Sequence, residues 1–262
     1  MFINCDPNAA DFLGPLEYIR EPLGAYDLGN AKVAHRKTYK IDANWKLVLE
    51  NYLECYHCAT SHRAYAKLHT FKDLHEKVAP IVEALLERSD EVTGVPGMSK
   101  HYTKIYRDAE GFGACVHTMR YGLFEGNVTG SRDGQPVAPL MGKIKDYDGG
   151  AGDYQMGPLT FMLNYPDHCV LFRFLPRSLT ETDVELVWFV RGDAEEGKDY
   201  NREDVVWLWD HTTKEDEYII LRNNAGVNSR FFEPGPYHPE FEATLQKFVG
   251  WYLHHLEEAS HA

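Results

Sequence analysis

The chain has 262 residues, 44% of them hydrophobic and 26% charged, with a formal net charge of -13. This composition is that of a globular protein, and the length allows one large domain. Phosphate binding needs a basic surface, so the acidic charge argues against nucleic acid and anionic membranes as partners. No segment is apolar over the length of a membrane span. The first residues, MFINCDPNAADFLG, lack the basic and apolar regions of a secretory signal, so we expect a cytoplasmic protein.

The first half of the chain is predicted to hold one strand and two helices. Residues 31–43 alternate as in a β-strand, and Asp42 or Asn44 can cap the helix that follows. We predict that helix over 44–62 and a second helix over about 71–88.

The middle of the chain is predicted to be β-structure. Residues 113–126 have the pattern of a strand, and three more strands follow at PLTFMLNY, HCVLFRFLP and DVELVWFVRG. Their short connections favour an antiparallel meander. Residues 126–157 hold eight glycines, and we expect an irregular segment there, either a functional lid or a disordered loop.

The last third turns helical. Residues 201–224 and 238–258 carry apolar side chains at helical spacing. Strands in the middle and long helices at the end predict an α+β fold, in which a curved antiparallel sheet packs on a long C-terminal helix.

The predicted helix 44–62 has two chemically distinct sides. The side expected to face the core carries Trp45, Val48, Leu49, Tyr52 and Tyr56. The opposite arc carries Glu50, Asn51, Glu54, His57, Cys58 and His62. No Lys or Arg lies between Leu47 and His62, which is what a cation site predicts.

His57 and His62 are candidate metal ligands, although satisfied polar histidines on a partly buried helix are the simpler interpretation of either one. At i, i+5 they lie about 140° apart on an ideal helix, so both reach one metal only if the helix distorts, for example at Ala59–Ser61. Two imidazoles and one carboxylate suit non-haem iron(II). For the carboxylate we favour Asp216 on the predicted helix 201–224, with Asp210 and Glu215 as alternatives.

Two further residues of helix 44–62 are expected near the metal without being strong ligands. Asn51 falls between Glu54 and His62 on the wheel, and an amide is a poorer donor than imidazole or carboxylate. Glu54 stands at i-3 from His57, so it can support that histidine from the same face.

The cysteines suggest a different metal. Cys55 and Cys58 form a C-x-x-C that could hold zinc with one histidine. Structural zinc usually needs a second pair, and Cys115-Val-His117 is the remote candidate; a thioredoxin-type pair would stand at a strand-to-helix junction. The full set is odd in number, which argues against a disulfide framework and fits a reducing compartment: Cys5, Cys55, Cys58, Cys115 and Cys169.

The pattern NWK, EN, ECYH and a histidine five residues later resembles the catalytic domain of the Rieske non-haem iron oxygenases, the α subunits of aromatic ring-hydroxylating oxygenases. DYDGG and EDEYIILRNNAGVNSRFFEPGPYHPE resemble later parts of that family, so the resemblance covers nearly the whole chain. It implies a helix-grip fold and iron(II) held by His57, His62 and Asp216. ECYHC is closest to the branch that acts on glycine betaine, choline and carnitine.

The resemblance also implies partners. They are O2, a small organic substrate, an NADH-dependent reductase and two further copies in a homotrimer. In such a trimer an acidic residue at the position of Glu54 links an iron-ligand histidine to a cluster-ligand histidine of the neighbouring subunit. The substrate stays open between an arene and a quaternary ammonium compound, since 16 Tyr, 13 Phe and 5 Trp could build an apolar pocket or an aromatic cage.

One departure from the family concerns its two-iron two-sulfur cluster, which C-x-H and a downstream C-x-x-H would hold. This chain has no such combination. We therefore expect residues 1–30 to follow a missing Rieske domain and 31–262 to form the catalytic domain, inactive on its own. Two other functions remain open, a metal-free ligand-binding helix-grip module and a zinc-stabilised structural domain.

Overall fold

A computed structural model of the protein describes residues 13–70, 73, 75–101, 103–105, 116–239 and 241–261. Within these ranges the strands are β1 (Lys32–Ile41), β2 (Thr103–Ile105), β3 (Val116–Gly122), β4 (Gly150–Met156), β5 (Thr160–Asn164), β6 (Cys169–Pro176) and β7 (Thr182–Val190). They form one antiparallel sheet in the order β1-β7-β6-β5-β4-β3-β2. The predicted antiparallel meander is confirmed, because β3 to β7 pair in sequence order.

Seven α-helices surround the sheet in the described part of the chain. They are α1 (Leu13–Gly24), α2 (Trp45–Leu53), α3 (Cys58–Ser61), α4 (Arg63–Leu68), α5 (His75–Thr93), α6 (Arg202–Val227) and α7 (Ala243–His261). Asn44 caps α2 by accepting a hydrogen bond from the Lys46 backbone N at 3.0 Å. None of the described helices combines the length and the apolar character needed to cross a membrane.

The two faces of the sheet bury different cores, as the alternation of side chains along a strand requires. Phe161 and Leu163 of β5 belong to the larger core, which α2, α6 and α7 cover with residues such as Val48, Leu208 and Phe248. The predicted α+β fold is thereby confirmed, and the antiparallel sheet packs on α2 and α6 as well as on the expected C-terminal helix, α7.

The opposite face of the sheet carries a smaller core. Met162 of β5 packs there with Tyr26 and Met141. Residues between α1 and β1 thus contribute to the packing of the sheet, and the domain boundary after residue 30 stays a prediction. Predicted residues 71, 72 and 74 of the second helix, and 113–115 of the strand before β3, lie outside the described residues.

The prediction of one helix over 44–62 was wrong. Helix α2 ends at Leu53, because Glu54 adopts extended backbone angles of φ -124° and ψ 157°. A second break follows at His62, with φ -117° and ψ 76°, while Ala59–Ser61, the expected place of distortion, is helical. Tyr56 consequently lies outside the core and is 58% exposed.

The prediction for the glycine-rich segment 126–157 was wrong in part. Its end, Gly150–Met156, forms β4, and the remainder is an irregular segment held by buried hydrogen bonds rather than a disordered loop. The Asp167 carboxylate accepts from Thr129 Oγ1 at 2.5 Å and from the Val137 backbone N at 3.0 Å. Gly130 lies so close to Tyr165 that an added Cβ would come within 2.2 Å of its ring.

Candidate metal centre

The two candidate histidines stand at the two ends of the short helix α3. His57 precedes Cys58 and His62 follows Ser61, and the two backbone breaks turn both imidazoles toward one point. Their Nε2 atoms are 3.1 Å apart and their rings are nearly perpendicular, at 81°. The breaks therefore remove the 140° separation that an ideal helix would impose on an i, i+5 pair.

Asp216 reaches the histidines from α6. Its Oδ1 lies 2.9 Å from His62 Nε2 and 3.4 Å from His57 Nε2. Trp209, Thr212 and Asp216 follow one another at spacings of three and four residues, so they share the face of α6 that is turned toward α2 and α4. Of the three carboxylates considered from the sequence, Asp216 is the one that meets both Nε2 atoms.

The other two carboxylates are engaged elsewhere. Asp210 accepts hydrogen bonds from Tyr39 Oη at 2.5 Å and Lys214 Nζ at 2.7 Å, and it pairs with Lys37 of β1. Glu215 Oε2 lies 3.0 Å from Nδ1 of His62, on the side of the ring facing away from Asp216.

Each histidine ring has a carboxylate on its outer nitrogen. Glu54 accepts from Nδ1 of His57, as Glu215 does from Nδ1 of His62. Such a hydrogen bond fixes the ring orientation and leaves the lone pair of Nε2 directed inward. The Glu54 side chain is 13% exposed, so it lies at the edge of the site rather than free in solvent.

Asn51 lies beside the candidate ligands, on the last part of α2. Its Nδ2 donates a hydrogen bond of 2.7 Å to Oδ1 of Asp216. The amide therefore holds the carboxylate from the side of α2, while its own Oδ1 is buried without a hydrogen-bond partner among the described residues.

Hydrogen bonds among the candidate ligands shift their pKa values. Burial opposes the charged form of Asp216, but hydrogen bonds from His57 and His62 outweigh it and lower the pKa of Asp216 to about 2. Burial likewise disfavours charged His57, yet its hydrogen bonds to Asp216 and Glu54 raise the pKa of His57 to about 9. A metal ion would have to displace these protons when it binds.

The donor atoms fit a metal ion by distance and by chemistry. Metal bonds of about 2.1 Å at right angles separate neighbouring ligand atoms by about 3 Å. The three inner atoms lie 2.9, 3.1 and 3.4 Å apart. Two imidazole nitrogens and one carboxylate oxygen on one face are the donor set of non-haem iron(II) sites, which keep positions open for other ligands.

Cys55 and Cys58 form a disulfide in this structure. The sequence argued against a disulfide framework and did not predict this local bond. Both sulfurs are thereby occupied and do not offer thiolates to zinc. Cys58 is nevertheless close, with its Sγ 3.9 Å from His57 Nε2. The remote partner Cys115 lies outside the described residues, and Nδ1 of His117 donates a hydrogen bond of 2.9 Å to Oε1 of Gln155.

A pocket opens beside the candidate ligands. It is lined by Asn51, Tyr52, Glu54, Cys55, His57, Cys58, His62, Tyr65, Tyr121, Asp153, Leu163, Trp209, Thr212 and Asp216. Besides Asn51 Oδ1, three polar atoms of these residues are buried without a hydrogen-bond partner among the described residues: Tyr52 Oη, Asp153 Oδ1 and Thr212 Oγ1. The sequence assigned Tyr52 to the core side of helix 44–62 and did not single out Thr212 or Asp153; for Asp153 the reason is that strand β4 was not predicted.

The model of the family described as ring hydroxylating alpha subunit (catalytic domain) matches residues 28–258. The glycine betaine monooxygenase oxygenase subunit of Pseudomonas aeruginosa is 34% identical over 261 residues, which cover 97% of this chain and 59% of that protein. The chain thus spans about three fifths of the length of this curated relative.

Solved structures share the fold. A quaternary ammonium Rieske monooxygenase aligns with a TM-score of 0.59 at 15% identity, over 99% of this chain and 59% of its own. Naphthalene 1,2-dioxygenase from Rhodococcus sp. aligns with a TM-score of 0.53 at 16% identity, over 95% of this chain and 62% of its own. One of these proteins is named for a quaternary ammonium substrate and the other for an arene.

Proposed function

Since this chain belongs to the family of ring-hydroxylating alpha-subunit catalytic domains, we propose that it is the oxygen-activating part of a Rieske-type oxygenase and holds one iron(II) through His57, His62 and Asp216. The observation that carries this is the convergence of three donor atoms within 3.4 Å of one another. Bound iron supplies the redox chemistry that O2 activation needs and the side chains of this protein lack.

The surrounding residues prepare the donor set. Glu54 and Glu215 hold the outer nitrogens of the two histidines, so Nε2 of each ring stays unprotonated and directed at the metal when the metal is bound. Asn51 donates to Oδ1 of Asp216 and limits rotation of that carboxylate. These three side chains fix the ligands and leave the pocket side of the centre to O2 and substrate.

Electrons are proposed to come from an NADH-dependent reductase through a two-iron two-sulfur cluster in a homotrimer. Glu54 is proposed to lie on the path between that cluster and His57. Its support is the hydrogen bond to Nδ1 of His57 combined with partial exposure, 13% of the side chain. The cytoplasmic location stays a prediction.

The proposed reaction is hydroxylation of a small organic molecule in the adjoining pocket, either an arene or the N-methyl carbon of a quaternary ammonium compound. Glycine betaine monooxygenase, a 34% identical relative, favours the second class. A metal-free ligand-binding module would need no donor set of this kind. The zinc-stabilised domain considered from the sequence would use thiolates of Cys55 and Cys58, and these two residues are joined to each other.

The test is the metal content of the chain after anaerobic loading with iron(II) and desalting. We expect one iron per chain, and near-complete loss of it in His57→Ala and in His62→Ala. His255→Ala is the matched control, because His255 is exposed on α7 and bonds the Trp251 carbonyl oxygen. Equal iron in the His62→Ala and parent proteins would refute the assignment. Stoichiometric zinc after expression in metal-balanced medium would support the structural alternative.

A further inference from the structure

Asp153 is a buried carboxylate in the pocket that the proposed metal centre does not use. It lies on β4, two residues from Ala151, whose side chain belongs to the larger core, so strand alternation turns Asp153 to the same face of the sheet. Its Oδ1 is buried and accepts no hydrogen bond from any described residue. Burial raises the pKa of Asp153 to about 7.

The charge of Asp153 has no compensation within the pocket. None of the described lining residues is Lys or Arg, and the two histidines are directed at Asp216. Burying an unpaired carboxylate is costly, and an opposite charge beside it would stabilise its ionised form. A cation bound in the pocket would supply that opposite charge.

The neighbours of Asp153 are aromatic. Tyr52, Tyr65 and Tyr121 line the same pocket, and Trp209 lies between Tyr65 and Phe172. Burial and then the charge of Asp153 raise the pKa of the Tyr52 phenol, so it stays neutral.

Packing fixes the rings of Tyr52 and Tyr65. Tyr52 lies 4.5 Å from Phe161, centroid to centroid, and Tyr65 stacks on His69 at 4.1 Å. Neutral, fixed aromatic rings attract cations that carry methyl groups in place of N–H donors. The aromatic rings and the unpaired carboxylate of Asp153 together favour a positively charged ligand, and that ligand does not need a hydrogen-bond donor.

On the premise of the proposed function, we infer that Asp153 is a specificity-determining residue that binds the cationic head of an N-methylated substrate and disfavours uncharged arenes. An arene entering this pocket would bury the carboxylate further without pairing it. A cation would pair it and lie against the rings of Tyr52, Tyr65 and Trp209. The substrate class is thereby narrowed to N-methylated ammonium compounds.

The test compares two probes of one shape, choline and its uncharged carbon analogue 3,3-dimethylbutan-1-ol. Calorimetric titration is performed on the iron-loaded and the iron-free chain, with Asp153→Asn as the variant. Asp210→Asn serves as matched control, since Asp210 lies outside the pocket and pairs with Lys37 and Lys214. We expect choline to bind the parent more tightly than the alcohol, and Asp153→Asn to weaken choline at least about tenfold with the alcohol unchanged or improved.

The outcomes separate this inference from the function it rests on. Equal affinity of the parent for both probes, absence of choline binding, or a choline affinity that survives Asp153→Asn would each overturn the role of Asp153. Iron content is measured in the same samples. Loss of iron from the parent would refute the metal centre, whereas retained iron with no selectivity for choline would refute the cation site alone.

Discussion

Asp216 and Asp153 line the same pocket and have opposite surroundings. Asp216 is contacted by His57, His62 and Asn51, and its pKa falls to about 2 although burial opposes this. Asp153 is buried among aromatic rings without a partner for its Oδ1, and its pKa rises to about 7. The same residue type is therefore proposed in two roles. Hydrogen-bond donors stabilise the charge of Asp216, the proposed metal ligand, whereas Asp153 has no such donor at Oδ1 and is proposed to pair with a cationic substrate.

The largest expected difference between Asp216 and Asp153 is in the iron content of their asparagine variants. Asp216→Asn removes the negative ligand while keeping the shape of the side chain, so we expect the chain to lose its iron. Asp153→Asn makes the same chemical change on the other side of the pocket, and we expect it to keep the iron of the parent. Elemental analysis of both variants decides this. The reverse pattern would assign the metal to β4 instead of α6.

Most residues of the proposed metal centre around Asp216 could be predicted from sequence, whereas the proposed cation site around Asp153 could not. His57, His62, Asn51 and Glu54 follow from residue types gathered without Lys or Arg on one short segment. Asp216 follows from its place on the predicted helix 201–224 and from the family resemblance, and the structure brings all five together. Metal-capable side chains are recognisable from their chemistry alone.

The backbone that brings them together was not predictable from helical periodicity. The 3.6-residue pattern over 44–62 does not register the extended Glu54 or the turn at His62. Periodicity measures which side chains are apolar, and it carries no information on the contacts that polar side chains such as Asn51 and His62 make with α6. The observed breaks lie on both sides of α3 rather than within it.

Strand β4 explains why Asp153 was missed. Its sequence, GAGDYQM, contains two glycines and an aspartate, which are rare in strands, and its pairing with β3 and β5 supplies the order that local propensity does not. A buried charge without a partner has no signature in sequence, since its neighbours come from α2, α4 and β3.

A smaller effect is expected from the carboxylates behind the histidines. Glu215→Gln keeps an acceptor for Nδ1 of His62 and removes its charge, so iron affinity should fall by roughly 10- to 100-fold without being abolished. Competition with a chelator of known affinity measures this. The neighbouring Glu217→Gln changes the same charge on α6 without contacting either histidine and should leave affinity unchanged. Complete loss of iron in Glu215→Gln would make Glu215 a ligand.

The smallest expected effect is on thermal stability, and its sign distinguishes the two kinds of carboxylate. A carboxyl whose pKa is raised on folding destabilises the protein increasingly as pH rises above the unfolded value near 4, with the full penalty above about 7. Asp153→Asn should therefore raise the Tm of the iron-free chain at pH 8, by about 2–4 °C for each kcal/mol gained, and the gain should shrink at pH 5. Asp210 has the opposite environment: burial opposes its charge, but Lys214, Lys37 and Tyr39 lower its pKa to about 2. Asp210→Asn should accordingly lower the Tm at pH 8. If Asp153→Asn lowered the Tm at pH 8 as well, Asp153 would have a stabilising partner and would not be free to bind a cation.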